Sequence, residues 1–214
     1  DILGLVNGKA ATINASRCVG HGACFHACPV EAITLCIGTE ERGVELPHVS
    51  AEFETSIPGL FIAGELGGMG LIKNAVEQGK QAMQFLSKRI RKSSKAKYDV
   101  IIVGAGPAGI SATLTAAKMK MKFITLEQDS LGGTVYNFPR AKIVMTSPMD
   151  LPMHGKVKLS ETSKTELLEL WYSVLGKNNI KINEQEKVES IEKIDDYFVV
   201  KTSRDSYTSS GVLL

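Results

Sequence analysis

The sequence predicts an α/β chain in which a dinucleotide-binding sheet domain follows a small, cysteine-rich α+β unit. Three observations carry this expectation. An apolar run, YDVIIV, leads directly into Gly104-Ala105-Gly106-Pro107-Ala108-Gly109. A helix-like stretch and a second apolar strand follow, and that strand ends on Glu127. Cys18, Cys24, Cys28 and Cys36 are crowded into one short stretch near the start, with no cysteine after it. The 214 residues suit one large domain or two small ones. With 43% hydrophobic and 22% charged residues the composition is that of an ordinary globular chain. A net charge of +2 gives no argument for nucleic acid or acidic substrates. No apolar run is long enough to span a bilayer, and no secretory signal precedes the first motif. The first residue is Asp1, so a segment ahead of it is expected to carry any anchor or address.

In chain order, Leu3-Gly4-Leu5-Val6, Asn7-Gly8 and the run from Lys9 to Ile13 read as strand, tight turn and strand. Residues 37–58 are punctuated by Gly38, Gly43, Pro47 and Pro58 and read as irregular. Gly59-Leu-Phe-Ile-Ala-Gly64 is a short buried-strand pattern. Ile72, Ala75, Val76, Ala82, Met83, Leu86 and Ile90 then form a helical apolar stripe. The run SKRIRKSSKAK at 87–97 is rich in Lys and Arg, and a solvated helix end passing into a linker explains it better than a phosphate or membrane patch. From Tyr98 the order is strand, glycine turn, helix over 110–121 and strand over 122–127. Residues 165–175 read as a helix, and 180–214 alternate as β-structure. The expected divisions are 1–37, 38–90, a linker at 91–97, and 98–214.

The glycine motif is G-x-G-x-x-G between a strand and a helix, with an acid ending the next strand, which is the complete fingerprint of a Rossmann-like dinucleotide site. Gly104 permits the tight turn, Gly106 lets a pyrophosphate approach the backbone, and Gly109 lets helix and strand pack closely. The helix N-terminus offers unpaired N–H groups and a partial positive charge to phosphates. Glu127 can accept from ribose hydroxyls, and its charge disfavours a 2′-phosphate, so NADP is not expected in this pocket.

YDVIIVGAGPAGISATLTA, with FITLEQDSLGGTVYNFP beyond it, resembles the FAD-binding start of thioredoxin reductase-like flavoproteins of the pyridine nucleotide–disulfide oxidoreductase superfamily. The resemblance covers 98–214. It implies a three-layer FAD domain with a β-meander, with 104–109 on the FAD pyrophosphate, Glu127 on the adenosine ribose and Gln128 among the cofactor-binding residues. It also implies that Gly133, Thr134 and Asn137 lie along the flavin end and that Val188 touches adenine through its main chain. TSIPGLFIAGELGGMGLIKNAVEQGKQA, at 55–82, resembles the carboxyl-terminal FAD segment of the same superfamily. There Gly64-Glu65 replaces Gly-Asp, one methylene longer, and Gly70, Leu71, Lys73 and Asn74 fall near the helix start that faces the flavin, with Lys73-Asn74-Ala75 offset by one residue from the family's Arg-Gln-Ala. The usual last segment thus precedes the usual first, an order expected of a circularly permuted FAD domain whose old termini are joined through 87–97. The rival reading assigns 50–90 to a different domain or to a neighbouring protomer's site.

Cys18-x2-His21-x2-Cys24-x3-Cys28-Pro29 departs at one place from the bacterial ferredoxin run C-x2-C-x2-C-x3-C-P, whose fourth cysteine ligates the other cluster in two-cluster ferredoxins. The hairpin before it and PVEAITL after it also resemble ferredoxins, which places a first cysteine motif upstream of Asp1. Thiolates suit iron–sulfur clusters. His21 either ligates iron, or stands beside the vacant corner of a three-iron cluster; the cofactor is accordingly 4Fe-4S or 3Fe-4S. Structural zinc on three Cys and one His is the plainer alternative. Cys36 is expected as a buried thiol after the strand AITL, and His26, His48 and His154 receive no role. There is no C-x-x-C for disulfide exchange, and no second G-x-G-x-x-G.

Together these resemblances imply an FAD- and iron–sulfur-dependent NAD(P)H oxidoreductase, with the NAD(P)H domain expected beyond Leu214 and no side chain acting as acid or base. The alternative is an FAD and iron–sulfur relay or redox sensor without turnover of its own. A homodimer in a bacterial or archaeal cytoplasm is expected, with any membrane association arising from the upstream segment, and no nucleic acid partner.

Overall fold

The computed structural model describes residues 3–6, 8–14, 24, 28–30, 32–33, 47–68, 70–137, 142–144, 148–158 and 161–214. The first hairpin pairs β1 (Leu3–Val6) with β2 (Lys9–Thr12), Val6 opposite Lys9. Gly8 sits at φ +76°, the left-handed conformation that the two-residue turn demands. The second strand ends one residue before the expected Ile13. Of the expected strand AITL, Ala32 and Ile33 are described and lie in no strand.

The main sheet is built from β3 (Leu60–Phe61), β4 (Tyr98–Val103), β5 (Phe123–Leu126), β10 (Val188–Ile194), β11 (Tyr197–Thr202) and β12 (Ser206–Leu213), in spatial order β10-β11-β12-β4-β5. Strands β10, β11 and β12 form an antiparallel meander, whereas β12, β4 and β5 run parallel. Along its outer edge β12 changes partner midway. Residues 206–209 pair with β11, and then Val212 and Leu213 pair in parallel with Leu60 and Phe61 of β3. Strand β3, which precedes the glycine motif in the chain, is therefore built into the same sheet as that motif.

Two helices cover one face of this sheet, α1 (Ile72–Arg89) and α2 (Pro107–Lys118). Side-chain alternation along β4 separates the two faces. Val100 and Ile102 pack with Ala82, Met83 and Leu86 of α1 and Ala112 and Ala116 of α2. Ile101 faces the other way, into Leu126, Val212, Phe198, Val200 and Tyr207. A third cluster gathers around Trp171 of α3 (Lys164–Lys177), with Ile110 and Leu114 of α2 and Leu131 and Val135 of the loop after β5. Helix α3 starts from a reciprocal cap: Ser163 Oγ accepts from the Glu166 amide at 3.1 Å, and Glu166 Oε2 accepts from the Ser163 amide at 2.7 Å. The short strands β6 (Lys142–Val144) and β9 (Glu161–Ser163) pair with each other, as do β7 (Met149–Leu151) and β8 (Gly155–Val157).

Two boundaries shift: the strand expected over 122–127 is β5, Phe123–Leu126, with Glu127 just beyond it, and the helix before it moves as well. Helix α2 spans Pro107–Lys118 rather than 110–121. Proline lacks only an N–H that the first helical turn leaves unpaired, so Pro107 opens the helix early; Lys120, at φ +56°, cannot continue it. The basic run is, as expected, a solvated helix end passing into a connection, with all six of its Lys and Arg residues exposed, but its backbone is anchored. Residues 87–89 close α1, and 90–97 lie along β12, where the Ser93 amide donates to Ser210 Oγ at 3.0 Å and the Lys97 amide to Thr208 Oγ1 at 3.0 Å. Some of its charges have partners: Arg89 meets Glu52 and Glu54, Lys92 meets Asp99 at 3.0 Å, and Lys95 lies over the Tyr197 ring.

Candidate functional site

The carboxyl ends of β4 and β12 open onto a two-lobed cleft. This is where ligands bind in open α/β sheets, at the point where the strand connections diverge. One lobe holds about 410 Å3 and is lined by Glu127, Gln128, Asp129, Asn137, Glu186 and Val188 among others. The other holds about 280 Å3 and is lined by Gly64, Glu65, Leu66, Gly70, Leu71 and Ile72, with Pro107, Ala108 and Gly109 from α2. Val103, Gly104, Gly106 and Thr134 line both and form the waist.

The glycine turn is shaped by close approach. Gly104 has φ +96°, a conformation that side chains other than glycine rarely adopt. A Cβ at Gly109 would meet Gly104 O at 1.9 Å, so the helix can seat on the turn only without one. Gly106 is different: a Cβ there would come no nearer than 3.9 Å, to Gly132 O. Packing does not require that glycine, and the room it leaves belongs to the cleft. Neither α1 nor α2 has a side-chain cap at its N-terminus, and the first turns of both border the same lobe.

Glu127 is 4% exposed. Its Oε2 accepts from the Ala105 amide at 2.6 Å and its Oε1 from the Asp129 amide at 2.9 Å. A carboxylate has about four acceptor positions, so two remain for a ligand. The loop after β5 is drawn onto the same point. The Gly132 amide donates to Ala105 O at 2.9 Å, and a Cβ on Gly133 would stand 3.6 Å from Glu127 Oε2. Across the waist, Thr134 Oγ1 donates to Glu65 Oε2 at 2.7 Å, a bond between segments 69 residues apart. The extra methylene of Glu65, compared with aspartate, gives it that reach.

The residues expected to hold the dinucleotide line the cleft except Ala105, Lys73 and Asn74. Gly133 and Asn137, expected at the flavin end, line the Glu127 lobe instead of the Glu65 lobe. Ala105 is buried in the core and contributes only its backbone, the amide to Glu127 and the carbonyl to the Gly132 amide. Lys73 and Asn74 lie in the first turn of α1 but are not among the residues lining the cleft. Cys18 and His21 lie outside the described residues. Cys24 and Cys28 are half-buried, and the Ala32 amide donates to Cys28 Sγ at 3.3 Å. Among the described residues no group of three or more His, Cys, Asp or Glu is placed to hold a metal ion.

Three residues that the sequence reading passed over support the site. Gln78, buried within the apolar stripe of α1, accepts from the Gly64 amide at 2.8 Å and fixes the strand end beside Glu65. Gly79 lets α1 touch α2, for a Cβ there would meet Ala108 O at 2.0 Å. Glu186 lines the larger lobe at 2% exposure. Gln78 and Gly79 did carry a signal, a polar residue and a glycine in the middle of an apolar helical stripe. Glu186 lies in an irregular stretch and had none.

Glu186 Oε1 accepts from Tyr207 OH at 2.8 Å and Thr202 Oγ1 at 2.8 Å, and its Oε2 from Asn183 Nδ2 at 3.0 Å. Burial works to raise its pKa. The three donors, with Arg204 nearby, outweigh burial and lower it from the usual carboxylate value. Burial, and then the bond to Glu186, push the Tyr207 phenol up to about 12.

The sequence profile of the pyridine nucleotide-disulphide oxidoreductases matches residues 101–214. An uncharacterized oxidoreductase of Bacillus velezensis, CzcO, is 30% identical over 122 residues, covering 55% of this chain and 35% of that protein. The ferredoxin–NADP reductase of Rickettsia conorii is 30% identical over 117 residues, covering 54% and 32%. The chain thus spans about a third of the length of these relatives. Among solved structures, the ferredoxin-flavin thioredoxin reductase of Clostridium acetobutylicum aligns over 54% of this chain and 36% of its own, with 29% identity and a TM-score of 0.45. Among the described residues no helix is long and apolar enough to cross a membrane.

Proposed function

Because the chain belongs to the pyridine nucleotide-disulphide oxidoreductase family, we propose that it binds FAD across the two-lobed cleft and serves as an electron-transferring flavoprotein oxidoreductase. The observation that carries this is the convergence of two distant segments on one cleft, with the glycine turn at the waist, Glu127 in one lobe, Glu65 in the other, and the Thr134–Glu65 bond between them. The room at Gly106 suits a pyrophosphate beside the N-terminus of α2. Gly104, Gly106, Gly109 and Glu127 would hold the adenosine diphosphate half. Gly64, Glu65, Gly70 and Leu71 would hold the flavin half, in the less polar lobe. FAD bound there would supply hydride acceptance from NAD(P)H and release of electrons singly. The protein's part is to orient the flavin and shield it.

The FAD domain is read as circularly permuted, a reading supported by the parallel pairing of β3 with β12 and by the contact of α1 with α2 at Gly79. The cysteine-rich segment is read as an iron–sulfur unit held by Cys18, Cys24 and Cys28 with His21 at or beside the cluster. The amide bond to Cys28 Sγ is of the kind that tunes a cluster thiolate. A homodimer, a cytoplasmic site and a small electron-carrier partner complete the proposal, the last suggested by a relative that is a ferredoxin–NADP reductase.

The test is the absorption spectrum and cofactor content of the chain purified without oxygen. Flavin bands with FAD released on heating, together with iron and acid-labile sulfide, are expected. A chain that takes up no flavin on reconstitution would overturn the FAD assignment. Zinc in place of iron would retire the iron–sulfur half and leave the flavin half standing.

A further inference from the structure

Glu186 is an unusual residue for a cleft that takes a dinucleotide. It is a carboxylate removed from solvent, in a lobe that already contains Glu127 and Asp129. Burying it ionised is costly unless its acceptor positions are filled. Three are filled from the protein, two of them by strands of the meander, through Tyr207 of β12 and Thr202 of β11, and one by Asn183. Those donors hold the carboxylate in one orientation and keep it charged at neutral pH. About one acceptor position remains, on Oε2. Its place is also fixed relative to Glu127, because the Glu186 amide donates to Glu127 O at 2.8 Å.

The order of groups along the lobe assigns the remaining acceptor. The waist carries Gly104 and Gly106, the phosphate position, and Glu127 follows as the ribose position. Glu186 and Val188 line the larger lobe and not the flavin-end lobe, and the amide bond from Glu186 to Glu127 O sets them beside the ribose position, next to which the base would lie. We propose that Glu186 is a specificity-determining residue that accepts a hydrogen bond from the exocyclic amino group of adenine. An adenine presents a donor at that position, whereas a 6-oxo purine presents an acceptor, which a carboxylate repels. A site built around a polar partner rejects the analogue that lacks it, because its own buried group is then left unpaired. This inference rests on the cleft being a dinucleotide site, and it goes beyond that in naming the base and the side chain that reads it.

The experiment is calorimetric titration of the whole flavin-free chain with ADP and with IDP, the 6-oxo analogue, for the wild type and Glu186→Gln. The wild type should bind ADP at least tenfold more tightly than IDP. In Glu186→Gln the side chain can turn its amide NH2 to the ligand, and the ratio should fall to within about threefold of unity. An unchanged ratio in the variant would overturn the assignment, as would a wild-type ratio near one. Should Glu186→Gln fail to fold, Glu186→Asp retains the charge and withdraws the carboxylate by one methylene; it should also erode the ADP preference, and an undiminished ratio there counts against the proposal equally. A wild-type chain that binds neither nucleotide would remove the dinucleotide reading itself, an outcome distinct from binding both alike.

Discussion

Gly79→Ala is expected to destabilise the protein although alanine is the better helix former. In a solvent-facing helix the exchange gains about 1 kcal/mol. At position 79 the new methyl would lie 2.0 Å from Ala108 O, 2.8 Å from its carbonyl carbon and 2.9 Å from its Cα. Ordinary contact begins near 3.4 Å, so α1 and α2 must separate by about 1.4 Å at their crossing, and all three neighbours are backbone atoms that cannot turn aside. Forcing a methyl into a packed interior costs about 1–3 kcal/mol and more where backbone must move, so a net loss of about 2 kcal/mol is expected. For a chain of this size that lowers Tm by roughly 4–8 °C. The separation also displaces the first turn of α1 from the flavin-end lobe, so FAD affinity should fall with stability. The control is Gly176→Ala in α3, where a Cβ would meet nothing within 4 Å; that variant should be as stable as the wild type or up to about 1 kcal/mol more. Urea unfolding followed by circular dichroism compares the three proteins. If Gly79→Ala proves as stable as Gly176→Ala, the helices do not meet through backbone at this point and the reasoning fails.

Other outcomes follow from particular contacts. Glu127→Ala removes the acceptor for the Ala105 and Asp129 amides as well as the ribose partner, and should weaken FAD binding at least tenfold without changing iron content; undiminished flavin occupancy would remove the ribose role. Ser163→Ala deletes the capping oxygen of α3 and should cost about 1 kcal/mol, a Tm fall of roughly 2–4 °C that a thermal melt can resolve. Because the folded pKa of Glu186 lies below its unfolded value, its contribution to stability is present above the ordinary carboxylate range and is lost as the pH falls through the lowered value. Tyr207 has the opposite sign: its folded pKa, about 12, is raised from 10.0, so its contribution is whole below pH 10 and lost as the pH rises through the folded value. Stability measured against pH should therefore flatten on the acid side in Glu186→Gln and on the alkaline side in Tyr207→Phe, and parallel curves for wild type and variants would contradict both bonds. Trp171, the sole tryptophan, is buried in the cluster that contains Val135, a residue lining the flavin-end lobe, so titration with FAD should quench its emission; an unaltered spectrum would place the flavin elsewhere.

What the sequence settled alone is local, and the reason is that it depends on neighbours in the chain. The turn at Gly8 needs a left-handed residue, the strand at 98–103 and the turn at 104–109 adjoin each other, and the acid at 127 directly follows the next strand. Such features follow from steric rules and periodicity acting over a few residues. Boundaries were less legible. Pro107 begins α2 because a missing N–H costs nothing in the first turn, which an apolar pattern does not reveal. The basic run at 87–97 is solvated as its composition implies, but its partners, Glu52, Glu54, Asp99 and the meander hydroxyls, are brought to it only by folding. The site divides the same way. Gly104, Gly106, Gly109 and Glu127 could be named from spacing. That Glu65 meets Thr134, that Gln78 holds Gly64, and that Glu186 is clamped by Tyr207 and Thr202 required the sheet. These are pairings between strands and helices distant in sequence. No local pattern encodes them, because their geometry is set by β12 accepting β3 and β4 on its two edges, and so only the tertiary structure decides which polar groups share a cleft.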